Sequence, residues 1–374
     1  MTAVGDLHPV PLDEFPIHQA PLSLRHVATS DRNFYDRSYL NAHDRTGDVF
    51  LVAGHGVYPN LGVADAFVTV RRGDRQWVVR CSDALGDDRL TPAVGPFRIE
   101  VVEPLRRLRV VCDTADRGLG VDLRWEASFP AVMEPRHVML AGARPIIDAS
   151  RFAQVGTWSG TICVEGEDLP VTPDRWVGTR DRSWGIRPVG EAEPPGRPPD
   201  DPTAGLWWLY VPLRFERFAL VVVVQEQPDG YRTLDDAVRV WPDGRVEQLG
   251  WPEVEIGYRP GTRLPERARL RLRERGGRPL DLEVTALGHI ALHVGAGYGG
   301  DPDWGHGRWR GRGWVECATY DLRDPAVAAR VPFGVVDHVA RATLDGEEGW
   351  GLLEHGTMGR HDPSGFADWD AVAP

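Results

Sequence analysis

Alternation with a period of two is the feature that most constrains how this chain can fold. Between Gly, Pro and Asp turn points, β-branched and aromatic residues recur at every second position, which places them on one face of an extended strand. Residues 66–70 and 76–80 flank Arg72-Gly73-Asp74, and residues 97–102 and 108–112 flank a connection at Pro104, so each pair predicts a hairpin. Residues 121–125 alternate in the same way. Further along, residues 207–213 and 218–225 lead into Pro228-Asp229-Gly230, and residues 237–241 lead into Pro242-Asp243-Gly244, two turns of one chemistry. Residues 267–273 and 280–284 flank Arg275-Gly276-Gly277, with arginine and leucine alternating to give one solvated and one buried face. Helix signals are few. Asp324-Pro325 predicts one capped turn over 326–330, and 31–40 is read as a second short helix. The pattern predicts an all-β protein built of barrels or sandwiches.

At 374 residues the chain exceeds one ordinary core, which points to two domains or one large β assembly. The sharpest break in composition runs over 188–203, with Pro194, Pro195, Pro198, Pro199 and Pro202 among Gly and acidic residues. It divides the chain into a first β domain (1–190), a connection (191–204) and a second β domain (205–374). Neither half carries a short repeat of the propeller or solenoid kind.

Charge narrows the function. The 43 basic residues are all arginine, and against 55 acidic ones they give a formal charge of −12, the wrong sign for binding a phosphate backbone. The absence of lysine excludes Schiff-base and P-loop chemistry. Cys81, Cys112, Cys163 and Cys317 lie far apart and read as buried, reduced thiols. No signal peptide or anchor is legible in residues 1–20, and the longest apolar run, 218–224, is too short for a membrane helix. The expectation is a cytoplasmic protein with no transmembrane segment and no nucleic-acid partner.

The stretch Gly178-Thr179-Arg180-Asp181-Arg182-Ser183-Trp184-Gly185-Ile186-Arg187 concentrates the chemistry. On a strand, Asp181 and Ser183 face one side while Arg180, Arg182 and Trp184 face the other. A carboxyl turned into an apolar space has its pKa raised and can donate a proton near neutrality. The alternative is an architectural Asp181 held by Arg187 or a turn amide.

Gly178, Asp181, Trp184 and Gly185 resemble the G-x-x-D-x-x-W-G signature of the AttH-like superfamily, which includes carotenoid 1,2-hydratase and fungal decalin-forming Diels–Alderases. Residues 158–162, beginning Trp158-Ser159-Gly160, and Gly349-Trp350-Gly351-Leu352-Leu353-Glu354 are similar to other strands of that group. R-D-R-S-W-G-x-R and Gly56-Val57-Tyr58-Pro59-Asn60 resemble uncharacterised actinobacterial members. The resemblance implies two packed lipocalin-like β domains, a greasy pocket in or between them, and isoprenoid or polyene chemistry with no organic cofactor.

Other residues fill out such a site. Among fourteen tryptophans, Trp158, Trp184 and Trp350, with Tyr58 and Tyr210, are candidates to line the pocket, since ring faces stabilise a carbocation formed by alkene protonation. Glu354 or His55 would direct water or remove a proton; His355 would contact substrate; Arg180 or Arg182 would hold a carboxylate head group. His289 and His293 are read as surface histidines; with His306 as the one nearby third ligand, their spacing is too long for one metal, and no metal is expected. Gly295-Ala296-Gly297-Tyr298-Gly299-Gly300 is not followed by a helix and is read as a flexible loop, with the glycines of 305–313 as part of a lid. No G-x-S-x-G elbow is present. The expected function is acid-initiated hydration, isomerisation or cyclisation of a hydrophobic small molecule. The alternative is a non-catalytic binding protein on the same shell, and a third reading is a Trp-rich interaction surface.

Overall fold

The computed structural model describes residues 13, 16–141, 144–194 and 205–374. It is all-β, as the alternation requires. Two antiparallel sheets curl about separate cores, giving two lipocalin-like half-barrels packed against each other. In the first sheet the strand order is Trp314–Asp321, Arg75–Ala84, Val63–Arg72, Val49–Tyr58, Phe34–His43, Val177–Ile186, Arg144–Val164, Leu119–Ala127, Arg107–Cys112, Phe97–Glu103. In the second it is Val246–Gln248, Arg232–Val240, Ala219–Glu226, Gly205–Arg214, Glu347–Gly359, Val336–Leu344, Pro279–Ala291, Pro265–Arg273, Glu253–Tyr258. One strand crosses over in sequence: Trp314–Asp321, from the far half of the chain, pairs with Arg75–Ala84 and extends the first sheet.

The expected hairpins form, with Val63–Arg72 on Arg75–Ala84, Phe97–Glu103 on Arg107–Cys112, and Pro265–Arg273 on Pro279–Ala291. Gly230 and Gly244 take left-handed φ of 85° and 84° in the two Pro-Asp-Gly turns, where a side chain would be strained. Asp324 caps the helical turn Pro325–Ala328, its side chain accepting from the Ala326 amide.

Residues 31–40 do not form a helix. Phe34–His43 is a central strand, paired on one side with Val49–Tyr58 and on the other with Val177–Ile186. Both of its faces are buried, so polar residues such as Arg37, Asn41 and His43 sit inside and break the polar/apolar alternation that marks a half-exposed strand. The four cysteines are free; Cys81 and Cys112 are buried, while Cys163 and Cys317 are only half-buried. Residues 188–194 have no regular structure, and 195–204 lie outside the described residues, as does most of 1–20. Among the described residues no helix is long and apolar enough to cross a membrane.

Among the described residues, three large apolar clusters dominate the packing. Leu51, Ala53, Trp125 and Trp158 belong to the interior of the first sheet, and Leu209, Leu270, Leu282 and Leu353 to that of the second. The third joins the sheets back to back, with Phe50, Val52 and Phe67 from the first against Tyr210, Val221 and Leu352 from the second. The strands that meet here alternate between their own core and this seam, which sets what the seam can hold.

Candidate active site

A partly open cavity of about 230 Å³ lies in the seam, lined by both sheets. Strand Val177–Ile186 supplies Asp181 and Ser183 on its cavity face, and Arg187 follows just beyond the strand; Arg180, Arg182 and Trp184 are on the reverse face and do not line it. Two glycines of the Gly178–Gly185 stretch have a steric origin. A Cβ on Gly178 would meet the Asn41 carbonyl oxygen at 1.9 Å, and Gly185 has φ of 134° with the Asp148 carbonyl 2.2 Å from where a Cβ would sit. Close strand approach on both flanks therefore fixes the segment that carries Asp181.

Asp181 is enclosed by protein on every side except the cavity, which leaves part of its surface accessible. Among the described residues its carboxyl makes no ion pair or side-chain hydrogen bond. Burial pushes it up to about 7, opposed by the charge of Arg151 and assisted by those of Glu134 and Glu354. Arg187 also opposes the rise, and of the three guanidinium groups on the lining the other two are committed to carboxylates elsewhere. Arg151 donates to Glu134 (Nε to Oε2, 2.7 Å) and lies 4.1 Å from the Tyr210 ring centre; Arg37 pairs with Asp65 at 3.2 Å and also bonds the Tyr58 hydroxyl.

Across the cavity, the second sheet presents Glu354 and Trp208, and the indole Nε1 of Trp208 donates to Glu354 Oε1. Asp337 lies directly opposite Glu354 on the neighbouring strand and is fully buried. Burial, and then the adjacent Glu354 charge, raise its carboxyl well above the usual carboxylate range, so Asp337 holds a proton beside Glu354. Its Oδ2 accepts from Tyr39, whose hydroxyl accepts in turn from Asn41 Nδ2 at 3.2 Å; Asn41 Nδ2 also donates to Thr179 Oγ1 at 2.6 Å. Tyr39 sits opposite Asp181 in the strand register. A hydrogen-bonded series from Thr179 to Asp337, beside Glu354, therefore runs behind the cavity wall and links the two sheets.

The Gly-rich segment borders the cavity through Tyr298. Residues 291–297 are buried and pinned rather than free: the Gly295 amide donates to Asp301 Oδ2 at 2.7 Å, and Gln76 Nε2 donates to the Val294 carbonyl at 2.6 Å. Tyr298 reaches the lining from here. His306 donates from Nε2 to the Ala296 carbonyl (2.9 Å), which leaves Nδ1 to accept from Arg187 Nη2 (2.9 Å). Burial, together with Arg37 and Arg187, holds this imidazole neutral, well below its ordinary pKa.

Of the residues singled out from the sequence, the structure brings Asp181 and Glu354 to the cavity. His55 points into the interior of the first sheet, with burial lowering it to about 3. Trp158 is in that same core, its indole donating to the Asn41 carbonyl at 2.8 Å. Tyr58 stands behind Arg37, and Tyr210 packs in the seam under Arg151. Trp350 donates to Glu348, Arg180 to Gln154, and Arg182 to Asp36, all away from the lining. His355 is locked between the Trp208 carbonyl (2.7 Å) and the Tyr258 hydroxyl (3.0 Å). Trp208 is the one tryptophan on the lining among the described residues.

His293 is buried rather than at the surface, and His289 is half-buried. Gly288 abuts Gly47 across the seam, which draws this segment inward. The His289 ring lies 5.6 Å from that of His338 at a tilt of 40°, and His293 bonds the Arg330 carbonyl at 2.7 Å, so the two make contacts separate from those of His306. Tyr39, Arg151 and Glu134 line the cavity without a local sequence signal, because other segments deliver them, whereas Arg187 comes from the stretch that carries Asp181.

The chain belongs to a family of unknown function (DUF8625), matched over residues 10–367. No curated protein matches the sequence. Its fold is similar to that of an AttH protein from Nitrosomonas europaea, with 15% identity, TM-score 0.55, and 93% of this chain and 98% of that one covered. The fold of two packed lipocalin-like β domains that the resemblance implied is thus the one observed. Weaker likenesses are to kievitone hydratase from Nectria haematococca (13% identity, TM-score 0.48, 86% and 88% covered) and to CghA (14%, 0.48, 88% and 89%).

Proposed function

We propose that this member of the family uses the seam cavity for acid-initiated chemistry on a hydrophobic, unsaturated small molecule, of the isoprenoid or polyene class, with no organic cofactor. The observation that carries the reading is Asp181: a carboxyl on a cavity wall, without an ion pair, raised by burial to about 7. The proton of Asp181 adds to one alkene carbon as the π pair forms the new C–H bond, leaving a cation on the neighbouring carbon and a carboxylate on Asp181. Glu354 then takes a proton, either from a water that adds to the cation (hydration) or from an adjacent carbon (isomerisation); attack by a second double bond first closes a ring and moves the cation to a new carbon, which is quenched in the same two ways. The rings of Tyr35, Trp208 and Tyr298 give the developing charge polarisable faces. The proton-bearing Asp337 and the Trp208 indole position Glu354.

The test is deuterium transfer. Acyclic isoprenoids incubated with the protein in deuterium oxide will acquire carbon-bound deuterium, read by mass spectrometry. Asp181→Asn will lower the rate by about 100-fold or more while the fold is retained. Wild-type labelling that survives in Asp181→Asn removes Asp181 from the role; binding without any labelling in the wild type makes the chain a ligand carrier.

A further inference from the structure

Three guanidinium groups line the cavity, and they are not equivalent. Arg37 has Asp65 and Arg151 has Glu134, whereas Arg187 has no carboxylate within ion-pair reach among the described residues. Its polar side-chain partner is the bare Nδ1 of His306, whose other nitrogen is committed to the Ala296 carbonyl, so that partner is a neutral acceptor. Its planar head is also held over the Tyr35 ring at 4.7 Å, with Tyr298 at 5.8 Å. The side chain is thus fixed at the cavity wall with no carboxylate paired to it among the described residues, Asp181 and Asp65 acting on it only at longer range. An unpaired cation in a partly desolvated pocket is costly unless a ligand supplies the counter-charge. It would also oppose a cation forming on a neutral alkene, which a negatively charged substrate would offset.

We infer that the substrate of this cavity carries an anionic oxygen, a carboxylate in the simplest case, and that Arg187 holds it. This rests on the reading of the cavity as the substrate site, and it narrows the substrate class from hydrophobic alkenes to unsaturated acids. Arg187 accordingly orients the chain: the acid head lies at the part of the wall formed by Arg187, Tyr35 and Tyr298, and the alkene extends along the wall that carries Asp181.

The test uses geranic acid and geraniol, one carbon skeleton with a carboxylate or an alcohol, titrated calorimetrically into the full chain at pH 6.5. Geranic acid will bind about 10- to 100-fold more tightly than geraniol, the range for a hydrogen bond to a charged group. Arg187→Gln will abolish that preference and leave geraniol affinity within about twofold; Arg187→Lys will keep part of it. Equal binding of the two probes, binding of neither, or a preference that survives in Arg187→Gln overturns the inference. The wild-type comparison and Arg187→Lys decide the matter even if Arg187→Gln fails to fold. Asp181→Asn retains the acid preference, so failure of the proton-donor role and failure of the anion site show up in different measurements.

Discussion

Asp65 and Asp181 are two enclosed aspartates on the first sheet, both pushed up by burial, with opposite surroundings. Asp65 accepts from Arg37 at 3.2 Å and from the Gly307 amide at 2.7 Å, and so clamps the Gly-rich segment onto the sheet. Asp181 accepts from no side chain among the described residues and faces the cavity. The contrast shows that burial alone does not mark a reactive acid; burial without a partner, on a cavity, does.

The sharpest way to break the comparison is Asp65→Asn, which strands the buried Arg37 without a counter-ion. Urea unfolding will show a loss of about 3–5 kcal/mol, whereas Asp181→Asn will lose little or gain. A loss at Asp181→Asn equal to that at Asp65→Asn would mean the two aspartates are alike.

Next in size is pH. The folded chain keeps a proton on Asp181 up to about 7, while the unfolded chain releases it near 3.8. The folded state therefore binds more protons in that window, and the contribution of Asp181 to stability falls as pH rises from about 4 to about 7, then levels off. The wild-type minus Asp181→Asn difference in unfolding free energy will shift by about 2–4 kcal/mol across that window, less the hydration the cavity provides. A flat difference would put the carboxyl at its ordinary value.

The smallest effect is expected on the reverse face of the same strand. Arg182 pairs with Asp36 at 3.0 Å and is 42% exposed, so Arg182→Gln will change stability by under about 1 kcal/mol and leave probe binding unchanged. A large loss of binding there would mean that the face opposite Asp181 also meets ligand.

What the sequence disclosed follows the same division. Period two separates Asp181 and Ser183 from Arg180, Arg182 and Trp184, because a strand has only two faces. It fails at Phe34–His43, where both faces are buried and no solvent side imposes polarity. Arg151 and Glu134 reach the cavity through long-range pairing and carry no local mark. The tryptophans misdirect for a related reason: a large ring is selected equally by a core, and Trp158 serves one by bonding the Asn41 carbonyl.

The crossover of Trp314–Asp321 onto Arg75–Ala84 has a consequence for how the chain is made. A ribosome releases Arg75–Ala84 more than two hundred residues before the partner that covers its edge. For that interval the nascent first sheet exposes a row of unpaired amides and carbonyls, the template on which strands of other chains can add. Completion of the first half-barrel is thus tied to completion of nearly the whole polypeptide, and chaperone protection during synthesis is needed most over that span.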